Sequence, residues 1–237
     1  MQARIKREKA ARIDQRAISQ GNRKYLVILV QFSDKTFQSM SANNDFTNQL
    51  NQDGYSANSG TGSAWNYYYE NSRGLFNPRF DVVGPVTVSK TAAYYGENDD
   101  YGDDAHPDEM VEEAVRLANS TVDYSQYDQD GDGYLDNVFI YYCGYAESQG
   151  GGSSTIWPHA SGIYGRNVML DGVRVGRYAC SSEFRGSTGG LMSGIGTFCH
   201  EFGHVIGLPD FYDTDYNDNG KGRGLGAYSL MSNGNYN

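Results

Sequence analysis

Residues 200–210 read His-Glu-Phe-Gly-His-Val-Ile-Gly-Leu-Pro-Asp, and this stretch decides how the rest of the chain is interpreted. The two histidines are four positions apart, and residues with that spacing share one face of a helix. Both imidazoles can therefore reach one metal ion. Glu201 directly follows the first histidine and is close enough to act on a metal-bound water without binding the metal itself.

Two histidines alone do not complete a catalytic zinc site, which needs three protein ligands and one open position. Gly207 allows the helix to end and the chain to turn sharply, and Pro209 prevents the helix from continuing. Asp210 is thereby brought back toward the metal as the candidate third ligand. The zinc ligands predicted from the sequence are His200, His204 and Asp210.

Residues 128–136 read Asp-Gln-Asp-Gly-Asp-Gly-Tyr-Leu-Asp and predict a second metal site. Side-chain oxygens at loop positions 1, 3, 5 and 9, a glycine at 6 and a carbonyl at 7 match the start of an EF-hand calcium loop. Position 12 is Phe139 and not the usual bidentate Glu, and a strand follows, so we expect a structural calcium site. The alternative is an empty acidic turn held by its own Asx hydrogen bonds. The predicted ligands are Asp128, Asp130, Asp132, the carbonyl of Tyr134, and Asp136.

Charge and hydropathy limit the partners of this 237-residue chain. Its net charge is −10, but residues 1–24 hold eight Lys/Arg and two Asp/Glu, whereas the remainder holds 11 and 27. An acidic body argues against nucleic acid as a partner. No stretch approaches the roughly 18 apolar residues of a transmembrane helix, so no membrane span is predicted. The oligomeric state does not follow from the sequence.

The hydrophobic pattern predicts alternating helices and strands. Residues 25–32 form a continuous apolar run, which is typical of a central strand covered on both faces. Residues 107–119 form the clearest amphipathic helix, with acidic residues in its first turn. The further predictions are helices at 45–52 and 64–70, strands at 76–83, 86–89 and 137–142, a hairpin at 169–175, and a zinc helix that begins near 193–196.

Residues 1–24 are predicted to form a charged helix with little apolar face, and residues 25–237 to form the globular domain. The helix is either a solvated leader, a linker or the tail of a propeptide. The sequence begins without the apolar core of a signal peptide, and we expect that it has been trimmed. The three cysteines form no Cys-x-x-Cys pair, so we expect small buried side chains, with one disulfide as the alternative.

Two further residues stand out by their surroundings. Met231 follows the zinc motif at a distance compatible with a turn beneath the metal, and ordinary core packing is the alternative. His159 lies beside Trp157 and Pro158, and we expect it to be a structural histidine or to line a substrate cleft.

Several segments together resemble the immune inhibitor A family of bacterial metallopeptidases. The resemblance extends over roughly residues 24–237. The segments that carry it are KYLVILVQFSD (24–34), NYYYENSRGLFNPRFDVVGPV (66–86), YYGENDDYGDDAHPDEM (94–110), DQDGDGYLDNVFIYYCGYAE (128–147), IWPH (156–159), HEFGHVIGLPDFYD (200–213) and YSLMSNG (228–234).

This resemblance implies an α/β (α+β) fold, the metzincin-like zincin catalytic domain, with a twisted mixed sheet, a backing helix, a zinc-binding helix and a Met-turn at Met231. It implies that His200, His204 and Asp210 hold zinc and that Glu201 is the general base. It also implies a secreted or cell-surface, calcium-stabilised endopeptidase that is made as a zymogen and acts on proteins or peptides.

The sequence departs from the metzincin pattern in two respects. Some metzincins carry a tyrosine two residues after the turn methionine, where this chain has Asn233, so no tyrosine is assigned as an oxyanion helper. The sequence also ends six residues after Met231, whereas such domains usually continue further. Two alternatives follow: the substrate cleft is complete, or it is incomplete at its C-terminal side.

Two other functions compete with the endopeptidase. One is a catalytically inactive, calcium-stabilised surface or binding module that has retained the zinc motif. The other is a zinc hydrolase that acts on an ester or amide. The intact Glu201 and both histidines favour an enzyme, because a decayed site usually loses one of them.

Overall fold

A five-stranded mixed sheet organises the computed structural model, which describes residues 19–214 and 224–236. The strands are β1 (Gly21–Gln31), β2 (Phe76–Thr87), β3 (Val138–Tyr145), β4 (His159–Gly162), β5 (Met169–Leu170), β6 (Val173–Arg174) and β7 (Arg177–Phe184). The α-helices are α1 (Ala42–Asn51), α2 (Ala64–Asn71), α3 (Ala92–Tyr95), α4 (Pro107–Ala118) and α5 (Ile195–Val205). The strand order is β2-β1-β3-β7-β4, with β4 antiparallel to β7 and the other pairs parallel. The predicted mixed α/β architecture is confirmed.

The apolar run at residues 25–30 is an interior part of this sheet. All six side chains are at most 1% exposed, and because successive side chains point to opposite faces, both faces of β1 are covered. The strand begins at Gly21, so the prediction of a charged helix was wrong for residues 21–24, which pair with Phe76–Arg79 of β2. Their polar side chains extend the strand beyond the core. Residues 1–18 lie outside the described part.

Strand β2 corrects a second boundary. Residues 76–83 and 86–89 were predicted as two strands separated by Gly84-Pro85, but the strand is continuous from Phe76 to Thr87. Its register against β1 shifts between Ile28 and Val30, where β2 carries one extra residue. A bulge of this kind accommodates a proline, which has no N–H for the ladder.

Most of the other predicted elements occur near their predicted bounds. Helix α4 begins at Pro107, and β3 follows the acidic loop, as expected. The hairpin of β5 and β6 turns at Asp171 and Gly172, which both have positive φ, at 49° and 84°. Strands β4 and β7 were not predicted.

Helix α5 carries two different faces. Phe198 and Phe202 are four residues apart and fully buried, whereas the two histidines are offset from them by two residues, roughly 200° around the helix. The Phe202 ring lies 4.6 Å from Tyr25 of β1, and the Phe198 ring lies 4.4 Å from Phe139 of β3, measured between ring centroids. The sheet therefore holds the aromatic face and leaves the histidine face directed away from it.

The start of α5 is held by polar contacts to two neighbouring elements. The main-chain N–H of Ser193 donates to the carbonyl of Glu183 in β7 at 2.8 Å, and the Gln49 amide of α1 donates to the carbonyl of Ser193 at 2.6 Å. Two elements that are distant in sequence thus position the helix before its first turn.

The cysteines have the expected environment, since Cys143, Cys180 and Cys199 are all buried and unbonded. Burial raises the pKa of the Cys199 thiol far above its usual value, so it is an unreactive core side chain. Within the described ranges, no helix is long and apolar enough to cross a membrane.

Replacing Phe198 by alanine is predicted to lower the free energy of unfolding by about 3–5 kcal/mol, because it leaves a cavity between α5 and the sheet. The control is Leu75→Ala, where the side chain is 71% exposed and a change within about 0.5 kcal/mol is expected. Urea denaturation followed by circular dichroism measures both. Equal losses in the two variants would show that Phe198 does not anchor the helix.

Candidate metal centre

The end of α5 has the geometry of a Schellman motif. Gly207 adopts a left-handed conformation with φ of 97°, the N–H of Leu208 donates to the carbonyl of Gly203 at 2.9 Å, and the N–H of Gly207 donates to that of His204 at 3.1 Å. The predicted turn at Gly207 is therefore present. It reverses the chain, so that Asp210 faces the helix it has just left.

Each histidine ring is oriented by a main-chain carbonyl. Nδ1 of His200 lies 2.8 Å from the carbonyl oxygen of Leu230, and Nδ1 of His204 lies 2.9 Å from that of Leu208. A carbonyl oxygen can only accept, so Nδ1 carries the proton in both rings. Nε2 of each neutral ring then offers its lone pair, which is the form in which histidine binds a metal.

Asp210 brings these two nitrogens together. Its Oδ1 lies 3.4 Å from Nε2 of His200 and 3.1 Å from Nε2 of His204. In a tetrahedral site with metal–ligand bonds of 2.0–2.2 Å, neighbouring ligand atoms are about 3.3–3.6 Å apart. The two distances from Asp210 are thus close to the spacing that a metal of this size requires.

The electrostatics of the two rings are compatible with a cation. Burial lowers the pKa of His200, which keeps that ring neutral. Burial would lower the pKa of His204 as well, but the Asp210 carboxylate and then Glu201 raise it above its usual value. A metal at the shared position would replace the proton that this carboxylate attracts.

Glu201 lies beside the two histidines. Its Oε1 is 4.0 Å from Nε2 of His200, and its side chain is only 9% exposed. One ligand atom from each of His200, Glu201 and His204 lies within 4.8 Å of the other two, so these three side chains form a cluster that could hold a metal. A carboxylate at that distance is close enough to hydrogen-bond a water in the open ligand position.

Met231 packs against α5 at Gly203. Its side chain is 3% exposed, and its sulfur fills the space above Gly203, which has no Cβ. Its carbonyl accepts from the N–H of Phe211 at 2.6 Å. The turn that places Met231 here also places the Leu230 carbonyl against His200.

Sequence reasoning missed three parts of this site: the carbonyls of Leu208 and Leu230, and the close contact of Gly203 with Met231. Main-chain oxygens leave no signal in the sequence, because every residue has one. The glycine did leave a signal, since glycine within a helix is unfavourable and calls for a packing reason.

The acidic loop also brings carboxylates together. Oxygens of Asp128, Asp130 and Asp136 lie within 4.8 Å of one another, and Asp136 is only 3% exposed. Burial, followed by the neighbouring Asp130, raises the pKa of Asp136 to about 7. Asp132 is not in this cluster; its carboxylate accepts from the N–H of Tyr134 at 2.8 Å, as the carboxylates of Asp128 and Asp130 accept from the N–H of Asp132.

His159 proves to be a structural histidine. Its ring is 6% exposed, and Nδ1 lies 2.6 Å from the carbonyl oxygen of Trp157. Nε2 lies 2.6 Å from the hydroxyl of Tyr178. Both nitrogens are thus occupied within the protein.

Comparison with protein families matches residues 14–237 to the model described as "Immune inhibitor A peptidase M6, catalytic domain". The chain belongs to the immune inhibitor A family of metallopeptidases. The match confirms the resemblance seen in the sequence.

Two curated members of the family illustrate the relationship. Immune inhibitor A of Bacillus thuringiensis subsp. alesti is 32% identical over 197 residues, which cover 72% of this chain and 28% of that protein. Pre-pro-metalloprotease PrtV of Vibrio cholerae serotype O1 (strain M66-2) is 32% identical over 193 residues, which cover 72% and 21%. The chain thus spans less than a third of the length of these relatives.

Replacing Gly203 by alanine is predicted to destabilise the centre. The new Cβ would lie 2.6 Å from Sδ of Met231, so the methionine must move, at a cost of about 1–3 kcal/mol. We expect the variant to lose bound metal during dialysis faster than the parent, as measured by atomic emission spectrometry.

Gly165→Ala provides the matched control, because a Cβ at this position meets no atom within 4 Å and its stability should change by less than about 0.5 kcal/mol. If Gly203→Ala retained metal and stability as well as this control, the contact between Met231 and the helix would have no structural importance.

Proposed function

We propose that the chain is the catalytic part of a secreted zinc-dependent endopeptidase, with zinc held by His200, His204 and Asp210. The convergence of both Nε2 atoms on one Asp210 oxygen, at 3.4 and 3.1 Å, is the observation that carries this proposal. Two imidazole nitrogens and a carboxylate oxygen are a ligand set that zinc accepts in catalytic sites.

In the proposed reaction, Glu201 is the general base. A zinc ion at the site supplies a Lewis acid that polarises the scissile carbonyl and makes water acidic. Glu201 takes a proton from the attacking water and delivers it to the leaving amine. Its position next to His200, on the same rigid helix, keeps the carboxylate within reach of both groups.

The protein groups around the ligands have supporting roles. The carbonyls of Leu230 and Leu208 fix the histidine tautomers and enrich the electron density on Nε2. Asp210 adds a negative charge and should therefore make the bound water slightly less acidic than a third neutral histidine would. Met231 supports α5 from below as the Met-turn residue.

The sheet offers a binding edge for an extended substrate. β4 forms the edge strand and contacts α5, and within the described residues no strand pairs with its outer side. Extended peptides add to such edges through main-chain hydrogen bonds. A chain bound in this way can continue in both directions, which favours cleavage within proteins or peptides.

Calcium binding by the acidic loop is also part of the proposal. Asp128, Asp130 and Asp136 are the converging carboxylates, and Asp132 and the Tyr134 carbonyl complete the predicted set. Three carboxylates this close repel one another unless a cation neutralises them. Secretion and a zymogen stage are supported by the acidic body and by the word "Pre-pro" in the name of one relative.

The general-base role is tested by Glu201→Gln. We expect the variant to keep its zinc, because Glu201 is not a ligand, and to cleave casein at least about 10²-fold more slowly. Zinc content and proteolysis are measured on the same preparation, with the exposed Glu70→Gln variant as the control.

Several outcomes would contradict the proposed function. If Glu201→Gln cleaved casein at the rate of the parent, Glu201 would not be the general base. A zinc-loaded parent that cleaves no protein would support the inactive binding module, and one that cleaves only small esters or amides would support the other zinc hydrolase.

The calcium loop is tested by Asp136→Asn, which should lose one bound calcium per chain, whereas the exposed Asp53→Asn should lose none. The carboxylate of Asp136 must be ionised to bind calcium, and its pKa without calcium is raised to about 7. We therefore expect calcium affinity to weaken as the pH falls below about 7. Calorimetric titrations at several pH values measure this, and an affinity independent of pH would contradict it.

A further inference from the structure

A second group of buried oxygens lies in the loop between α3 and α4. The loop is closed by main-chain hydrogen bonds, from Asp99 to the carbonyl of Asp103 at 2.7 Å and from Ala105 to the carbonyl of Glu97 at 2.8 Å. Asn98 and Asp104 are directly opposite in this loop, as an antiparallel bridge pair. Residues opposite each other in such a pair project their side chains from the same face.

A third side chain reaches this face from another part of the chain. Glu147 follows β3, and its two carboxylate oxygens accept from the Asn98 amide at 3.2 and 3.5 Å. The exit of β3 and the loop before α4 therefore meet at Asn98.

Three oxygens at this place have no hydrogen-bond donor. They are Oδ1 of Asn98, Oδ1 of Asp104 and Oγ of Ser148, and all are shielded from solvent. The Asp104 side chain is only 4% exposed, and its other oxygen accepts from the N–H of Trp157 at 2.9 Å. Buried oxygens without partners indicate an ion or water that binds there.

The negative charge of this group has no protein cation to balance it. Among the described residues, no lysine or arginine lies within 4.0 Å of Asp104 or Glu147. The basic group that comes within this distance is Nδ1 of His159, 4.0 Å from Asp104, but this nitrogen is already engaged by the carbonyl of Trp157 at 2.6 Å.

Burial, followed by the nearby Glu147 and Asp103, raises the pKa of the Asp104 carboxyl to about 7, although the hydrogen bond from the Trp157 N–H opposes this rise.

We propose that Asn98, Asp104 and Glu147 form a second calcium site, distinct from the acidic loop at 128–136, with Ser148 at its margin. All donors are oxygens, two of them carboxylates, which suits calcium and not zinc, whose sites favour nitrogen and sulfur. Calcium also tolerates the irregular geometry of ligands from two separate loops, with water completing its shell.

The site would stabilise the edge of the sheet. Asp104 holds the main chain of Trp157, two residues before β4 begins at His159. A cation on the other oxygen of this carboxylate would fix the loop before α4, the exit of β3 and the entry to β4 together. Its loss should therefore loosen the edge strand beside α5.

Calcium counting on the whole chain tests the proposal. After equilibration with calcium and gel filtration, Glu147→Gln should hold one calcium fewer than the parent, whereas Glu97→Gln, an exposed change in the same loop, should hold as many. Combining Glu147→Gln with Asp136→Asn should remove both ions. If Asp136→Asn lost one calcium but Glu147→Gln held as many as the parent, calcium would bind only at the acidic loop, and the second site would be overturned.

Thermal unfolding separates a lost site from a damaged fold. In chelator, Glu147→Gln should be at least as stable as the parent, because it relieves repulsion with Asp104. In the Asp136→Asn background, saturating calcium should raise the melting temperature by about 5–10 °C, and adding Glu147→Gln should abolish that rise. If calcium raised the melting temperature of Asp136→Asn equally with and without Glu147→Gln, the result would contradict the proposal.

Terbium luminescence gives a local readout, since Trp157 is in contact with Asp104 and is one of only two tryptophans. When tryptophan is excited selectively, terbium bound to the Asp136→Asn variant should emit light by energy transfer from Trp157. Adding Trp157→Phe to this variant should remove most of the terbium emission. Emission unchanged by Trp157→Phe would mean that the ion binds elsewhere.

Discussion

The candidate centre depends on two hydrogen bonds from imidazole to main-chain carbonyls. They fix Nδ1 as the protonated nitrogen of His200 and His204, so both Nε2 atoms face Asp210. One carbonyl, that of Leu208, belongs to the Schellman motif that ends the helix, and the other, that of Leu230, belongs to the turn below it. If either carbonyl moved, its ring could rotate, and the three ligand atoms would no longer share one position.

The remainder of the fold keeps α5 in place for these bonds. Phe198 and Phe202 fasten the helix to the sheet through aromatic contacts on the face opposite the histidines. Strand β7 lies against the same helix with small side chains from Ala179 to Ser182, which permit a close approach. Helix position and ring orientation are thus set by different parts of the structure, and both are needed for the centre.

The sequence predicted the parts of this protein that depend on local spacing. The helix, its turn at Gly207 and the return of Asp210 follow from eleven consecutive residues. The Leu230 carbonyl could not be predicted, because it is a main-chain atom 30 residues from His200. Strand β7 was missed because Ala-Cys-Ser-Ser lacks the β-branched residues typical of strands, and β2 was divided because Gly84-Pro85 resembles a break.

Anomalous diffraction at the zinc absorption edge tests the central claim most directly, since it locates the metal and its ligands together. We predict one zinc peak within bonding distance of Nε2 of His200, Nε2 of His204 and a carboxylate oxygen of Asp210. A peak bound by the two histidines with Tyr212 or Asp213 in place of Asp210 would contradict this ligand set. The absence of zinc from crystals grown with the metal would contradict the proposed chemistry altogether.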